Sequence, residues 1–429
     1  MSAGQLFRAS LAHTPSNPFD NDALVAHEDG GLLAREGRIA AMGAFDDVHG
    51  RNPDAEVIDW RGGFILPGFI DTHVHFPQHH IIGSLGYSLL DWLDRVALPE
   101  EARMEHDAYA RETAERFINA LARHGTTTAL VFGSHFAGAT SRLFEAAAAS
   151  GLRIVSGLVV SDRRLRPELH RSPEQAHRES TDLIRQFHRQ GRLLYAVTPR
   201  FALSASEAML EVCQSLHREH DGLRFQTHIN ENRQEISEVT NLFPWATDYL
   251  SVYERYGLGG QGAVMAHSVW TTDDELTRMA AAGTSVAHCP CSNGALGSGT
   301  FPLRRHIDRR VNVALGTDVG GGTGYGLPKE ALQAYLMQRV MPDGVVLGPA
   351  HMLYLATLAG ARALGLDSEI GDLTPGKAAD FVYIRPNAGS ELADRLQRTE
   401  NLPDALGAIF SLASADCVRE VRVDGIVVG

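Results

Sequence analysis

The chain has 429 residues and sets 39 Lys and Arg against 52 Asp and Glu, a formal charge of −13. That sign argues against a phosphate-binding surface and so against a nucleic-acid partner. With 44% hydrophobic and 21% charged residues the chain has the apolar material for a packed core and lacks the composition of disorder. Lysine occurs only at Lys329 and Lys377, a skew that GC-rich codon usage explains and that leaves few amines for chemistry. The cysteines Cys213, Cys289, Cys291 and Cys417 are too few and scattered for a disulfide framework, which implies a reducing cytosol. The N-terminal MSAGQLFRASLAHTP has no apolar signal region, and the most apolar stretch, 146–160, is interrupted by Arg153. A cytoplasmic protein without a membrane span is therefore expected.

From about Leu32 to Asp59, short apolar runs punctuated by Gly and Asp predict small antiparallel strands and hairpins. Eight apolar, β-rich runs follow, at 64–75, 126–133, 153–160, 193–201, 224–231, 263–269, 285–293 and 312–319. Helical periodicity separates most of them, as in Ala110, Ala114, Phe117 and Leu121 before Gly125. Eight βα units with nearly uninterrupted apolar strands predict a closed parallel (β/α)8 barrel of the TIM type, with a doubly wound open sheet as the alternative. After the eighth run, 328–340 and 349–365 read as helices and Thr374-Pro375-Gly376 as a turn. KAADFVYIRP and VREVRVDGIVVG then repeat the strand texture of the first end. The expected organisation is a barrel over 64–370 inserted into a small β-sandwich domain built from residues 1–63 and 371–429, with the termini close together.

Buried parallel strands should end in apolar residues, so ionisable groups at their C-terminal ends mark a site. The first run ends in Asp71-Thr72-His73-Val74-His75, the fifth carries His228, the sixth His267, the seventh His288 and the eighth Asp318. His73 and His75 are two apart on a strand and share a face. Alone, such a pair reads rather as a satisfied core pair than as metal ligands. With His228 and Asp318 it makes three nitrogens and a carboxylate suited to a catalytic Zn2+ or Fe2+. Glu231, three residues after His228, lies where a carboxylate can carry protons, or else opens a helix. His267 reads as a fifth ligand, a water-orienting base or a hydrogen-bonded barrel residue, and the second role is favoured. Cys289 and Cys291 beside His288 read as inert buried thiols, Arg163, Arg164 and Arg166 as solvated surface, and Gly320, Gly321, Gly322 and Gly324 as a flexible lip.

Taken together, Pro67-Gly68-Phe69-Ile70-Asp71-Thr72-His73-Val74-His75, His228 with Glu231, His267 and Gly316-Thr317-Asp318 resemble the amidohydrolase superfamily over almost the whole chain. HFPQ at 75–78, HGTTTALVFG at 124–133, TPRF at 198–201, THINEN at 227–232 and GTDVGGGT at 316–323 are similar to the guanine deaminase branch. The resemblance implies zinc held by His73, His75, His228 and Asp318, with ferrous iron as the other candidate ion. It implies Glu231 as proton shuttle, His267 and Asp318 as partners of the attacking water, and Gln78, Arg200 and Phe201 as the purine-binding set. An amide can read a purine edge, a guanidinium suits a carbonyl oxygen, and a ring can stack. The implied reaction is hydrolytic deamination of guanine to xanthine and ammonia in purine catabolism, by a homodimer. Cys289-Pro290-Cys291-Ser292-Asn293 departs from the Cys-Pro-Thr-Ser-Asn common in the family, which bears on packing or a substrate contact. The alternatives are a deaminase of 8-oxoguanine, cytosine or an s-triazine, a bridged two-metal hydrolase, and a metal-free interaction protein on the same fold. The run at 193–201 holds no lysine to be carboxylated, so one metal per chain is expected.

Overall fold

The structure is a computed structural model that describes residues 4–428; Met1–Ala3 and Gly429, the outermost residues of the expected β domain, lie outside the described residues. Eight parallel strands run in chain order around a barrel: Phe69–His75, Thr126–Phe132, Arg153–Gly157, Leu193–Pro199, Arg224–Ile229, Ala263–His267, Ser285–His288 and Val313–Leu315. Every residue of the first two strands is buried, as expected of strands with helices outside and packed side chains inside. The eighth strand closes on the first through side chains and loop backbone. Thr72 Oγ1 donates to the Leu315 carbonyl at 2.8 Å, Asp318 N–H to the His73 carbonyl at 2.8 Å and His75 N–H to the Val319 carbonyl at 3.0 Å.

The run 64–75 is two strands. Residues Glu56–Pro67 belong to a second sheet and Phe69–His75 to the barrel. Gly68 between them sits where a Cβ would fall 2.2 Å from Thr127 Oγ1. The eighth strand is shorter than expected, and the seventh stops at His288, where Pro290–Ala295 turns into a helix. The helix expected over 349–365 breaks at Thr357, whose Oγ1 donates to the Leu353 carbonyl at 2.6 Å. Helix Asp107–Arg123 buries Ala110, Ala114, Phe117 and Leu121 as its periodicity predicts.

The second sheet has seven strands and draws on both ends of the chain: Arg38–Ala44, Val25–Arg35, Gln5–His13, Glu56–Pro67, Phe381–Ile384, Val418–Val423 and Ile426–Val427, in spatial order. The strand Glu56–Pro67 bends at Gly62, with φ of +85°, and at Gly63, where a Cβ would lie 2.4 Å from the Tyr383 ring. The bend brings Trp60 onto Tyr383, stacked at 4.2 Å between ring centroids, over a core that includes Phe7, Ile65 and Phe381. No helix among the described residues is long and apolar enough to cross a membrane.

A buried ion-pair group ties this sheet to the barrel. Arg153, at the start of the third barrel strand, reaches Asp380 at 2.7 Å and also pairs with Asp424, which Arg192 meets at 2.6 Å. The Asp380 side chain is only 3% exposed, so its charge depends on that guanidinium. Arg153→Ala is expected to cost on the order of 3 kcal/mol by stranding Asp380. Arg153→Met combined with Asp380→Asn should recover part of the loss, and urea unfolding curves measure both effects.

Candidate active site

The C-terminal ends of three barrel strands, the first, the fifth and the eighth, bring His73, His75, His228 and Asp318 together. One ligand atom from each lies within 4.8 Å of all the others, and all four residues are buried. His75 Nε2 stands 3.3 Å from His73 Nε2 and 3.2 Å from His228 Nε2. Asp318 Oδ1 is 3.3 Å from both His73 Nε2 and His75 Nε2. A tetrahedral ion with bonds of about 2.0–2.1 Å to nitrogen needs ligand atoms about 3.3–3.4 Å apart. The donor set therefore fits a divalent metal ion, and among the described residues it is the one cluster of this kind.

Protonation supports the same fit. Burial pushes His75 down to about 4 and holds His73 and His228 below the usual imidazole range, so all three rings are neutral, the form that binds metal. His228 Nδ1 lies 2.6 Å from the Arg200 carbonyl; that bond takes the Nδ1 proton and leaves the Nε2 lone pair facing the centre. Asp71, buried beneath the cluster, accepts from the backbone N–H of His73 at 3.2 Å and of Thr317 at 3.0 Å, and from Thr317 Oγ1 at 2.5 Å. It ties the first strand to the loop that carries Asp318.

Backbone strain is concentrated here. His267 has φ of 72°, Asp318 48°, Asn230 51° and Ser268 50°, values that non-glycine residues hold only where surrounding structure enforces them. The turn at Asp318 aims its carboxylate back at the histidines. His267 stays outside the four-residue cluster, with Nε2 3.5 Å from Glu231 Oε2 and 3.9 Å from Asp318 Oδ2 and Nδ1 2.9 Å from Asn293 Oδ1. Glu231 is buried and accepts from Ser298 Oγ at 2.8 Å. Burial and then the Asp318 charge push its carboxyl up to about 8, while a cation at the centre acts in the opposite direction.

Residues 64–428 match the amidohydrolase family. Along 99% of its length the chain is 57% identical to a probable guanine deaminase of Deinococcus radiodurans, covering 98% of that protein. The chain belongs to the amidohydrolase family. The solved structure of the guanine deaminase of E. coli superposes with a TM-score of 0.95 at 38% identity, covering 99% of both chains. A guanine deaminase from C. acetobutylicum with guanine bound in its active site gives 0.91 at 25% identity, covering 99% of this chain and 100% of that one.

In this amidohydrolase the cluster faces a small cavity whose other walls include Gln78, Arg200, Phe201, Glu231 and His267, closed by Leu89, Trp92, Leu93 and Leu296. All the residues singled out in the sequence for metal, proton transfer and base binding thus line one space, apart from His73, which lies in the ligand cluster beneath it. Neither lysine approaches it: Lys329 Nζ donates to the Thr323 carbonyl and Lys377 Nζ to that of Ile370.

Other polar residues around the site escaped the sequence. Glu101, in the helical insert after the first strand, is buried against Arg200. Glu235 accepts the backbone N–H of Glu231 at 3.1 Å and of Asn232 at 3.2 Å while capping helix Arg233–Leu242. The Asn-x-x-Glu spacing at 232–235 is a readable helix-start signal, but the placement of Glu101 has no local signal. The lip at 320 is tied down, since Gly320 N–H donates to Gln78 Oε1 at 2.9 Å. Cys289 and Cys291 are buried free thiols, and burial pushes Cys291 up to about 12, as expected of an inert group. Arg163 is half-buried over the Phe243 ring, whereas Arg164 and Arg166 are exposed.

Chelator-stripped protein is expected to take up about one divalent ion per chain. Asp71→Asn, which alters no ligand atom, should weaken that uptake by roughly 10- to 100-fold. Elemental analysis and competition against a metal-binding dye measure the two quantities.

Proposed function

We propose that this amidohydrolase uses one zinc ion, held by His73, His75, His228 and Asp318, to hydrolyse guanine to xanthine and ammonia. The observation that carries the reading is the joining, at one small cavity, of a three-nitrogen, one-carboxylate cluster fit for a metal to the buried side chains of Gln78, Arg200 and Phe201. The identity of 57% with a probable guanine deaminase along nearly the whole chain supports it.

When bound, the ion supplies hydroxide at neutral pH by lowering the pKa of a water toward ~7. The chain's own groups do the rest. Phe201, buried beside the site, offers a face for the purine ring, while N–H groups of Arg200 and Gln78 hold its polar edge. His267 and Asp318 Oδ2, 3.9 Å apart, orient the attacking water and take its proton. Glu231 gives a proton to the ring nitrogen next to C2 as the C2–O bond forms, and the C2–N bond then breaks with a second proton transfer, releasing ammonia. One guanine and one water thus yield one xanthine and one ammonia. Leu89, Trp92 and Leu93 keep bulk water from the reacting centre, which strengthens each of these interactions.

The reading includes a cytoplasmic homodimer acting in purine breakdown. Four reduced cysteines support the compartment, and Leu336, Val340 and Val346, exposed on or just after helix Leu327–Val340, support a covered face. It also includes the domain division 1–63 and 371–429 against 64–370, with the change of sheet at Gly68 supporting a first boundary a few residues later than expected.

Ammonia release from guanine, 8-oxoguanine, adenine, cytosine and ammeline tests the substrate. Guanine is expected to give the highest kcat/KM; a faster second base, or no release from a metal-replete sample, overturns the reading. Glu231→Gln should keep its metal and lose about 10^2- to 10^4-fold in kcat. A near-normal rate would remove Glu231 from the proton path.

A further inference from the structure

Glu101 belongs to helix Leu98–Ala102, in the insert between the first barrel strand and its helix, and its side chain is 2% exposed. A carboxylate so deeply buried is stable only when its oxygens are paired. Arg200 Nη1 donates to both of them, at 2.8 and 2.7 Å. Gln78 Nε2 donates to Oε1 at 2.8 Å, and His135 Nδ1 lies 3.4 Å from Oε2. Burial pushes the carboxyl up, but Arg200 and then His135 outweigh it and hold Glu101 well below the usual range. The group is a permanent anion that can only accept.

That fixes the orientation of the Gln78 amide. Its oxygen receives the Gly320 N–H at 2.9 Å, and its nitrogen faces Glu101. The reversed amide would set oxygen against carboxylate and NH2 against N–H, losing both bonds. With Oε1 held by Gly320 and one Nε2 hydrogen by Glu101, Gln78 has its second Nε2 hydrogen left to donate to a ligand. Arg200, with Nη1 spent on Glu101, has its other N–H groups. Both residues line the cavity over the metal cluster. The N–H groups left over on both residues are donors, and guanine offers two adjacent acceptors, O6 and N7, where adenine offers N7 and an amino donor.

We propose that Glu101 is a positioning residue that turns the N–H groups of Gln78 and Arg200 into a donor-presenting edge and thereby selects 6-oxo over 6-amino purines. The proposal rests on the guanine reading above and extends it to a residue that touches neither the metal cluster nor the reacting carbon. A neutral amide in place of this carboxylate could donate as well as accept. The Gln78 amide would then be free to turn and present its oxygen to an amino group.

Hypoxanthine and adenine differ only at position 6 in this respect and lack the 2-amino group that leaves, so calorimetric binding to zinc-loaded protein reads the edge without turnover. The native chain is expected to bind hypoxanthine at least about tenfold more tightly than adenine. Glu101→Gln should shrink that preference to within about threefold and raise the KM for guanine at least about tenfold, with metal content unchanged and kcat altered much less. Glu101→Asp keeps the charge and should keep the preference, which guards against a variant that merely folds poorly. A Glu101→Gln protein that retains the tenfold preference, or that loses kcat with KM unchanged, overturns the proposal. Failure of the native chain to release ammonia from guanine would instead strike the functional reading itself.

Discussion

Three neutral imidazole nitrogens, with 3.2 and 3.3 Å between neighbours, converge on one buried carboxylate, and the rest of the active face is arranged to hold them there. Lone pairs aimed at one another repel, and burial removes the water that would separate them. A shared cation turns that cost into ligation. Barrel closure and ligand placement are the same event in this chain. The bonds that join the eighth strand to the first, Asp318 N–H to the His73 carbonyl and His75 N–H to the Val319 carbonyl, also set three of the four ligands. Asp71 reinforces both from below through His73 and Thr317. Metal binding and barrel stability are consequently linked, since an ion that binds only the closed arrangement stabilises it by mass action.

Around that centre two buried carboxylates are pushed in opposite directions by their neighbours. Glu101 faces the Arg200 guanidinium and stays ionised; Glu231 faces Asp318 and is pushed up to about 8. Separating the two roles by partner rather than by residue type is the usual way one pocket runs acid and base chemistry near neutrality. In the proposed reaction the anion at Glu101 organises recognition and Glu231 carries the proton. Positive φ at Asn230, His267, Ser268 and Asp318 is the conformational cost of turning strand ends sharply enough to aim these groups inward.

The features that repeat or obey a short period were legible in the sequence. The eight apolar runs gave the strands of the barrel, and ionisable residues at their ends gave His73, His75, His228, His267 and Asp318, whereas His288, marked by the same rule, stacks on Phe301 outside the cluster and the cavity. Boundaries were less legible: nothing local marks Gly68 as the point where one apolar run leaves one sheet for another, since the reason is the close approach of Thr127. Glu101 was invisible for a related reason. Its meaning depends on the insert over 76–105 folding across the barrel mouth onto Arg200, a contact spanning 99 residues of sequence, and no pattern within the insert encodes that distance.

The central claim is that one ion sits between these four residues. Anomalous diffraction from crystals of the metal-replete protein, recorded on both sides of the zinc absorption edge, tests it most directly. The account predicts a single strong peak at bonding distance from the Nε2 atoms of His73, His75 and His228 and from Asp318 Oδ1. Two peaks, a peak elsewhere in the barrel, or none in a protein that turns over its substrate would contradict it.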